Sequence, residues 1–352
     1  MIAYIFRIDL FCLEKIRMNM DRTSFKFFLA TFILLFAPIT GITVQAEGFS
    51  ENNLVFLCFG QSNMEGNARP EDQDKTGVSY RFKKMYAANS DGTKKGTWAN
   101  AKPPLCRQNT GLTPVDYFGR YLIDSLATIY SIRVIVVAVA GCSIKMFDPD
   151  QCAGYISTAE SWMQNIAAEY DNNPYNRLIE MAKKAQETGV IKGVLLHQGE
   201  TDAYSDNWVD ATQKVYKKIL EDLDLKASDA PLLVGEVVNA DQNGVCAGAN
   251  TYIAKLAKKS INYHLISSAG CPAGSDNLHF SAEGYRMLGK RYGEKMFSLL
   301  KKKGYSTRTS VTPVQDEVSP ESPAYNLNGQ RLYEPADGIS IIDGRKILNI
   351  NR

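Results

Sequence analysis

The 352-residue chain is short of three things, and each shortage narrows what it can be. The first is metal ligands in register. It has 3 histidines and 7 cysteines, but no Cys-x-x-Cys pair and no His/Cys cluster at zinc-ligand spacing, which argues against a structural metal. The second is net charge. Forty Lys and Arg against 38 Asp and Glu leave a formal +2, where a dedicated nucleic-acid surface would show a strong basic excess. The third is long apolar runs. The run from Phe27 to Pro38 is near the short limit for spanning a bilayer, and Pro38 and Gly41 interrupt it. What is present, 45% hydrophobic and 22% charged residues, is ordinary for a globular protein; this length allows one large domain with a small addition, or two domains.

That apolar run reads as part of a targeting segment. Arg22 and Lys26 precede it, and small residues lead on to Val44-Gln45-Ala46, the order of a secretory signal. The stretch before Arg22 is long for such a signal, which makes Met18 and Met20 alternative starts; an uncleaved membrane anchor is the competing reading. A signal peptide over 1–46 places the mature chain outside the cytoplasm, in the periplasm, on the surface or secreted, with no further membrane span. Disulfides are permitted there. Six cysteines remain after Cys12 is removed: Cys58, Cys106, Cys142, Cys152, Cys246 and Cys271. Six thiols allow about fifteen complete pairings, and Cys58, inside an apolar run, serves equally well as a free buried thiol.

The first apolar run of the mature chain, residues 55–59, is rich enough in Val and Phe for a buried strand and stops at Gly60-Gln61-Ser62-Asn63. Ligands of α/β proteins bind beyond the carboxyl ends of the strands, so a serine there is presented rather than buried. Alone, such a motif matches by accident. Residues 67–114 read as long loops with a possible strand at 80–86; Tyr86 and Trp98 stand there as cleft-lining residues or as loop anchors. Residues 116–130 have helical spacing, and 133–140 form a continuous β-branched run ending in Gly141-Cys142-Ser143. An irregular stretch with Trp162 follows. Pro174 opens a helix that Gly189 closes.

The strand at 190–196 breaks at His197-Gln198-Gly199-Glu200-Thr201-Asp202. Helices at 210–225 and 250–259 alternate with strands at 231–238 and 263–267; His264, inside the latter, reads as structural. Asp276-Asn277-Leu278-His279 then precedes a helix over 282–302, with Ser281 as its N-cap. This alternation predicts an α/β fold: a three-layer α/β/α sandwich around a central parallel sheet of about five strands, spanning 47–303. Residues 304–324 read as a linker. Residues 325–352, with Asn328-Gly329 and Asp343-Gly344 as hairpin signals, read as a small β appendage. The tail resembles short C-terminal segments of secreted proteins from Bacteroidetes-type bacteria that are linked to sorting; a β appendage without a role in the chemistry is the other reading.

Every strong polar signature thus follows a strand end or falls in a late loop, and parallel strand ends share one side of a sheet. Together the Gly60-Gln61-Ser62-Asn63-Met64 block, Gly141, the His197-to-Asp202 block and Asp276-x-x-His279 resemble the SGNH hydrolases, and more narrowly their sialate O-acetylesterase and acetylxylan esterase branch. Four blocks in the right order cover nearly all of the mature domain. The resemblance implies a flavodoxin-like fold with Ser62 as nucleophile, His279 as base and Asp276 as the acid that orients it, Glu200 being an alternative or auxiliary acid. It implies oxyanion donors in the backbone N–H groups of Ser62 and Gly141 and the side-chain amide of Gln198. A serine hydroxyl needs a base to become nucleophilic, a near-neutral imidazole supplies one, and a carboxylate fixes its tautomer.

Two features depart from the family pattern. Gly141-Cys142-Ser143 stands where Gly-Gly-Thr or Gly-Gly-Ser is frequent, so that a side chain narrows the site or Cys142 is tied back in a disulfide; Thr201 stands where Ser is frequent. Gln61 and Asn63 are expected at the substrate, and His197 either there or holding its own loop. The implied function is an exported serine esterase that removes O-acetyl groups from carbohydrates such as acetylxylan or sialic acid, through an acetyl-enzyme and without cofactor or metal. Its expected partner is the O-acetylated carbohydrate. The rivals are a lipid or aryl esterase or thioesterase on the same fold, an inactive glycan-binding protein, and an adhesive protein working through its tail.

Overall fold

Strand β1 (Asn53–Gly60) is buried along its whole length and sends side chains into two separate cores. Val55, Leu57 and Phe59 enter one, and Leu54, Phe56 and Cys58 the other. A strand apolar on both faces has to be covered on both, which is why its sequence runs rather than alternates. A computed structural model describes residues 48–308, 324–326, 331–332, 338–342 and 345–349. The expected signal segment 1–46, most of the expected linker and both tail turns, Asn328-Gly329 and Asp343-Gly344, lie outside the described residues.

After β1 come α1 (Ser62–Glu65), α2 (Asp72–Lys75), β2 (Phe82–Met85) and β3 (Trp98–Asn100). Then follow α3 (Pro114–Ser125), β4 (Ser131–Ala138), α4 (Cys152–Ser157), α5 (Ser161–Ala168), α6 (Pro174–Gln186) and β5 (Val190–His197). The domain closes with α7 (Asp206–Asp222), β6 (Leu232–Gly235), α8 (Asn250–Ala257), β7 (Tyr263–Ile266) and α9 (Ala282–Lys302). The seven strands form one sheet in the order β3-β2-β4-β1-β5-β6-β7. One core holds apolar side chains of α5, α6, α7 and α8, and the other those of α3 and α9. The result is the expected α/β/α sandwich.

The sheet is wider than expected and is mixed. All pairings from β2 to β7 are parallel, but β3 runs antiparallel to β2 at the edge. A three-residue, half-buried strand is too short to leave a period-2 pattern in the sequence. Trp98 belongs to β3, with the buried Arg133 guanidinium 5.1 Å from its ring, and Tyr86 carries Lys84 and Lys94 over its ring. Both are anchors of this edge rather than cleft-lining residues.

Local signals set the helix starts. Thr113 caps α3 by accepting from the Val115 N–H, its own N–H donates to Asp116 at 3.0 Å, and Pro114 takes the first position. Ser281 caps α9 by accepting from the Gly284 N–H. The six cysteines form no disulfide; all but the half-buried Cys246 are buried. They pack as small apolar groups in two different cores, and burial pushes the Cys106 thiol up to about 12 and those of Cys152 and Cys271 to about 11. Cys142 in particular is not tied back: its thiol lies 3.7 Å from the Gly60 carbonyl. The described part of the tail is a separate antiparallel sheet, β11-β10-β8-β9, made of Ala324–Tyr325 (β8), Arg331–Leu332 (β9), Gly338–Ile342 (β10) and Arg345–Asn349 (β11). No helix among the described residues is long and apolar enough to cross a membrane.

Candidate active site

Three neighbouring strands end level with one another. Gly60 of β1 pairs with Ala138 of β4 on one side and His197 of β5 on the other, so the segments that follow emerge side by side. Gly60 is required there because a Cβ would sit 2.0 Å from the His197 carbonyl oxygen. Ser62 opens α1, where the first N–H groups of a helix have no intrahelical partner. Gly141, at φ +66°, turns the chain after β4, and its virtual Cβ would lie 2.8 Å from the Trp162 ring. Among the described residues neither the Ser62 nor the Gly141 N–H has a protein acceptor. The third segment pins the second: the Thr201 hydroxyl donates to the Gly141 carbonyl at 3.0 Å, and Asp202 accepts from the Ser143 hydroxyl and the Ile144 N–H.

The Asp276–His279 loop closes over this edge. The Ser62 hydroxyl lies 2.8 Å from His279 Nε2, and His279 Nδ1 lies 2.7 Å from Asp276 Oδ2. The other carboxylate oxygen of Asp276 accepts from the Leu278 and His279 N–H groups at 3.0 and 2.9 Å. Partial burial works against the charged form, but these bonds outweigh it and hold Asp276 down at about 2. An ionised carboxylate only accepts, so Nδ1 carries the imidazole proton and Nε2 is left to take one from Ser62. Glu200 makes no hydrogen bond to His279; its Oε1 accepts from Asn63 Nδ2 at 2.5 Å and its Oε2 is buried without a partner.

Two expected site residues stand elsewhere than expected, and His197 takes the buried of its two expected places. Gln198 is fully buried, and its NH2 group is spent on Gln61 Oε1 (3.2 Å), the Cys142 carbonyl (3.2 Å) and Asp202 (2.7 Å). It has no donor left for an oxyanion. Its own carbonyl accepts from the Trp208 indole at 2.5 Å, an unambiguous donor that fixes which way the amide points. That orientation passes on to Gln61. Gln61 Oε1 also accepts from the Gly199 N–H at 3.4 Å, and Gln61 lines the pocket beside Ser62.

Asn63, expected at the substrate, is fully buried with both ends of its amide used. Its Nδ2 donates to Glu200 and to the Leu278 carbonyl (3.1 Å), while its Oδ1 accepts from the Phe280 N–H (3.3 Å) and the Tyr285 hydroxyl (2.7 Å). It staples both neighbours of His279 to the serine helix. His197 is also fully buried, its ring edge-on to Phe280, and reaches no substrate.

These groups open on a pocket of about 660 Å³ that contains Gln61, Ser62, Gly141, Glu200 and His279. Its wall also carries Arg107 and Glu65, which sequence reasoning did not bring together, and Trp162, which it placed in an irregular stretch. Arg107 donates from Nε (2.9 Å) and Nη2 (2.8 Å) to the buried Glu65, and Trp162 stands half-exposed. Burial pushes the Glu65 carboxyl up, and Arg107 works against that shift. Arg107 sits in a loop without periodicity, 42 residues from its partner, so nothing local signals the pair. A second cavity of about 510 Å³, beside Tyr117, Arg120 and Arg286, holds none of the four segments. Among the described residues no group of three or more His, Cys, Asp or Glu could hold a metal ion.

The family described as carbohydrate esterase, sialic acid-specific acetylesterase, matches residues 52–298. Among solved structures, a protein from Arabidopsis thaliana superimposes with a TM-score of 0.54 at 18% identity, covering 70% of this chain and 98% of that one. The protein NanS superimposes at 0.53 and 16%, covering 72% and 99%. At such identities these two establish the shared fold, while the family match spans the fold and every segment of the pocket. The chain belongs to the sialic acid-specific acetylesterase family of carbohydrate esterases and is a carboxylic ester hydrolase.

Proposed function

We propose that this protein is an exported serine esterase that removes O-acetyl groups from carbohydrates, acetylated sialic acid, acetylxylan or related glycans, through an acetyl-enzyme on Ser62. The observation that carries this reading is the bonded series Ser62–His279–Asp276, at 2.8 and 2.7 Å, opening on the pocket. The Ser62 oxygen attacks the acetyl carbonyl carbon while its proton passes to His279 Nε2, and Asp276 stabilises the resulting imidazolium. The carbonyl oxygen becomes an oxyanion facing the N–H groups of Ser62 and Gly141 and the NH2 of Gln61. Collapse breaks the bond to the sugar oxygen, which takes the proton from His279 and leaves as an alcohol. Water then attacks the acetyl carbon, giving its proton to His279, and collapse breaks the bond to the Ser62 oxygen, which takes that proton back as acetate departs.

Gln198 and Trp208 act behind Gln61, holding its amide in the donating orientation. Glu200 acts through Asn63 and makes no hydrogen bond to the imidazole. The polar Arg107, Glu65, Asn67 and Asn109 on the wall suit a hydroxylated alcohol better than a long acyl chain. The basic residues, apolar run and small-residue site of 1–46 support export, which N-terminal sequencing of the mature protein would check. Acetate release from a panel of acetylated xylan, acetylated sialic acid and a small aryl acetate tests the activity. Ser62→Ala is expected to abolish release; full activity in that variant would end the acetyl-enzyme reading.

A further inference from the structure

Trp162 is exposed in a way the other two tryptophans are not. Trp208 is buried with its N–H bonded to Gln198, and Trp98 lies under Arg133 at the sheet edge. Trp162 leaves 48% of its surface open although it lines the pocket of Ser62 and His279. Burying an indole is strongly favourable, so an open one in a concave site is an unfilled contact. Its benzene edge leans on Gly141, the residue whose N–H faces the acyl oxygen. It therefore stands beside the reacting ester. Val245, 64% exposed, lines the same pocket, where Asn67, Arg107, Asn109 and Thr110 are polar. A pyranose has a matching division: C–H groups on a face of the ring and hydroxyls around its rim.

We propose that Trp162 is the platform on which the sugar ring of the substrate stacks, so that the enzyme selects esters by the ring on their alcohol side. This rests on the esterase reading above. Losing the apolar contact between the ring and the indole is expected to cost about 10-fold in kcat/KM, equivalent to about 1.4 kcal/mol. Ethyl acetate, with the same acyl group and no ring, makes no such contact.

The test compares the two substrate kinds. Trp162→Ala is expected to lose about 10-fold in kcat/KM on a mono-O-acetyl methyl xyloside or on mono-O-acetylated N-acetylneuraminic acid, and less than about 2-fold on ethyl acetate. Trp162→Phe, which keeps an aromatic face, is expected to retain most of the sugar activity. An equal loss on ethyl acetate would mean that Trp162 only supports the Gly141 turn, and the proposal would fall. A second measurement needs no turnover. Titrating Ser62→Ala protein with the same acetylated sugars should change tryptophan fluorescence, and the Ser62→Ala, Trp162→Phe double variant should lose that change. Calorimetric binding without a fluorescence change would also overturn the proposal. Absence of acetate release by the wild-type enzyme from every ester would instead strike the esterase reading, leaving the titration to decide for Trp162.

Discussion

Two histidine–carboxylate pairs are each spaced three residues apart, one at the pocket and one reaching into the interior, and they have opposite characters. In the first, His279 Nδ1 and Asp276 Oδ2 are 2.7 Å apart on a partly exposed loop. Two backbone N–H groups reinforce the charge on Asp276, which stays ionised down to about 2. In the second, His197 Nε2 and Glu200 Oε1 are 3.8 Å apart in the interior. Burial alone drives His197 down to about 3 and dominates the upward push on Glu200. Each leaves an atom without a hydrogen bond, His197 Nε2 and Glu200 Oε2. A histidine and a carboxylate three residues apart thus form a directly bonded pair in one place and an unbonded pair dominated by burial in the other. Solvation and backbone donors decide between them, not composition.

The strongest way to break that comparison is to neutralise each carboxylate in turn. Asp276→Asn leaves Nδ1 facing an amide and favours the wrong tautomer; the expected loss in kcat is about 10⁴-fold. Glu200→Gln keeps an oxygen for Asn63 and is expected to cost less than about 10-fold. Steady-state kinetics on one acetylated substrate decides the matter, and a larger loss in Glu200→Gln would reverse the roles. The next effect probes the buried frame. Gln61→Ala removes a side-chain donor aimed at the oxyanion and should lower kcat about 100- to 1000-fold with little change in KM. An unchanged kcat would leave the two backbone N–H groups as sufficient donors.

How much of this the sequence carried depends on the range over which each signal acts. The parallel strands and the caps at Thr113 and Ser281 are local: they are written in apolar runs and in single side chains at helix starts. Ser62, Gly141, Asp276 and His279 were legible because each falls where a strand ends or in a short loop, and the topology gathers those places. Gln198 spends its NH2 on internal partners for a reason no spacing reveals. Trp208, ten residues beyond Gln198, fixes the orientation of its amide and thereby that of Gln61. Asn63 read as a substrate contact because it sits beside the serine, yet its partners are 137 to 222 residues away. Arg107 and Glu65 met the same obstacle, and β3 was too short to leave any pattern.

Asn63 joins the two halves of the comparison, since its amide bonds both to Glu200 and to the backbone on either side of His279. Asn63→Ala should therefore loosen the Ser62–His279 contact without removing either reacting group. The expected loss is about 10- to 100-fold in kcat, the range in which small misplacements of reacting groups are felt. A loss confined to thermal stability, with kcat intact, would make Asn63 a packing residue only.

The smallest expected effect tests the electrostatic basis of the contrast. Glu200 has its folded pKa raised by burial, so around and above the ordinary carboxylate range the folded state binds more protons than the unfolded chain. Stability contributed at this position falls as pH rises from about 4.3, the reverse of Asp276. At Asp276 the folded value is depressed to about 2 and its contribution, present above the unfolded value, is lost only as pH falls towards 2. Glu200→Gln removes the buried charge, so its melting temperature relative to wild type should climb by a few degrees between pH 4 and pH 8. A gap that stays constant across that range would mean that Glu200 ionises as freely as in the unfolded chain, and the difference between the two pairs would then rest on geometry alone.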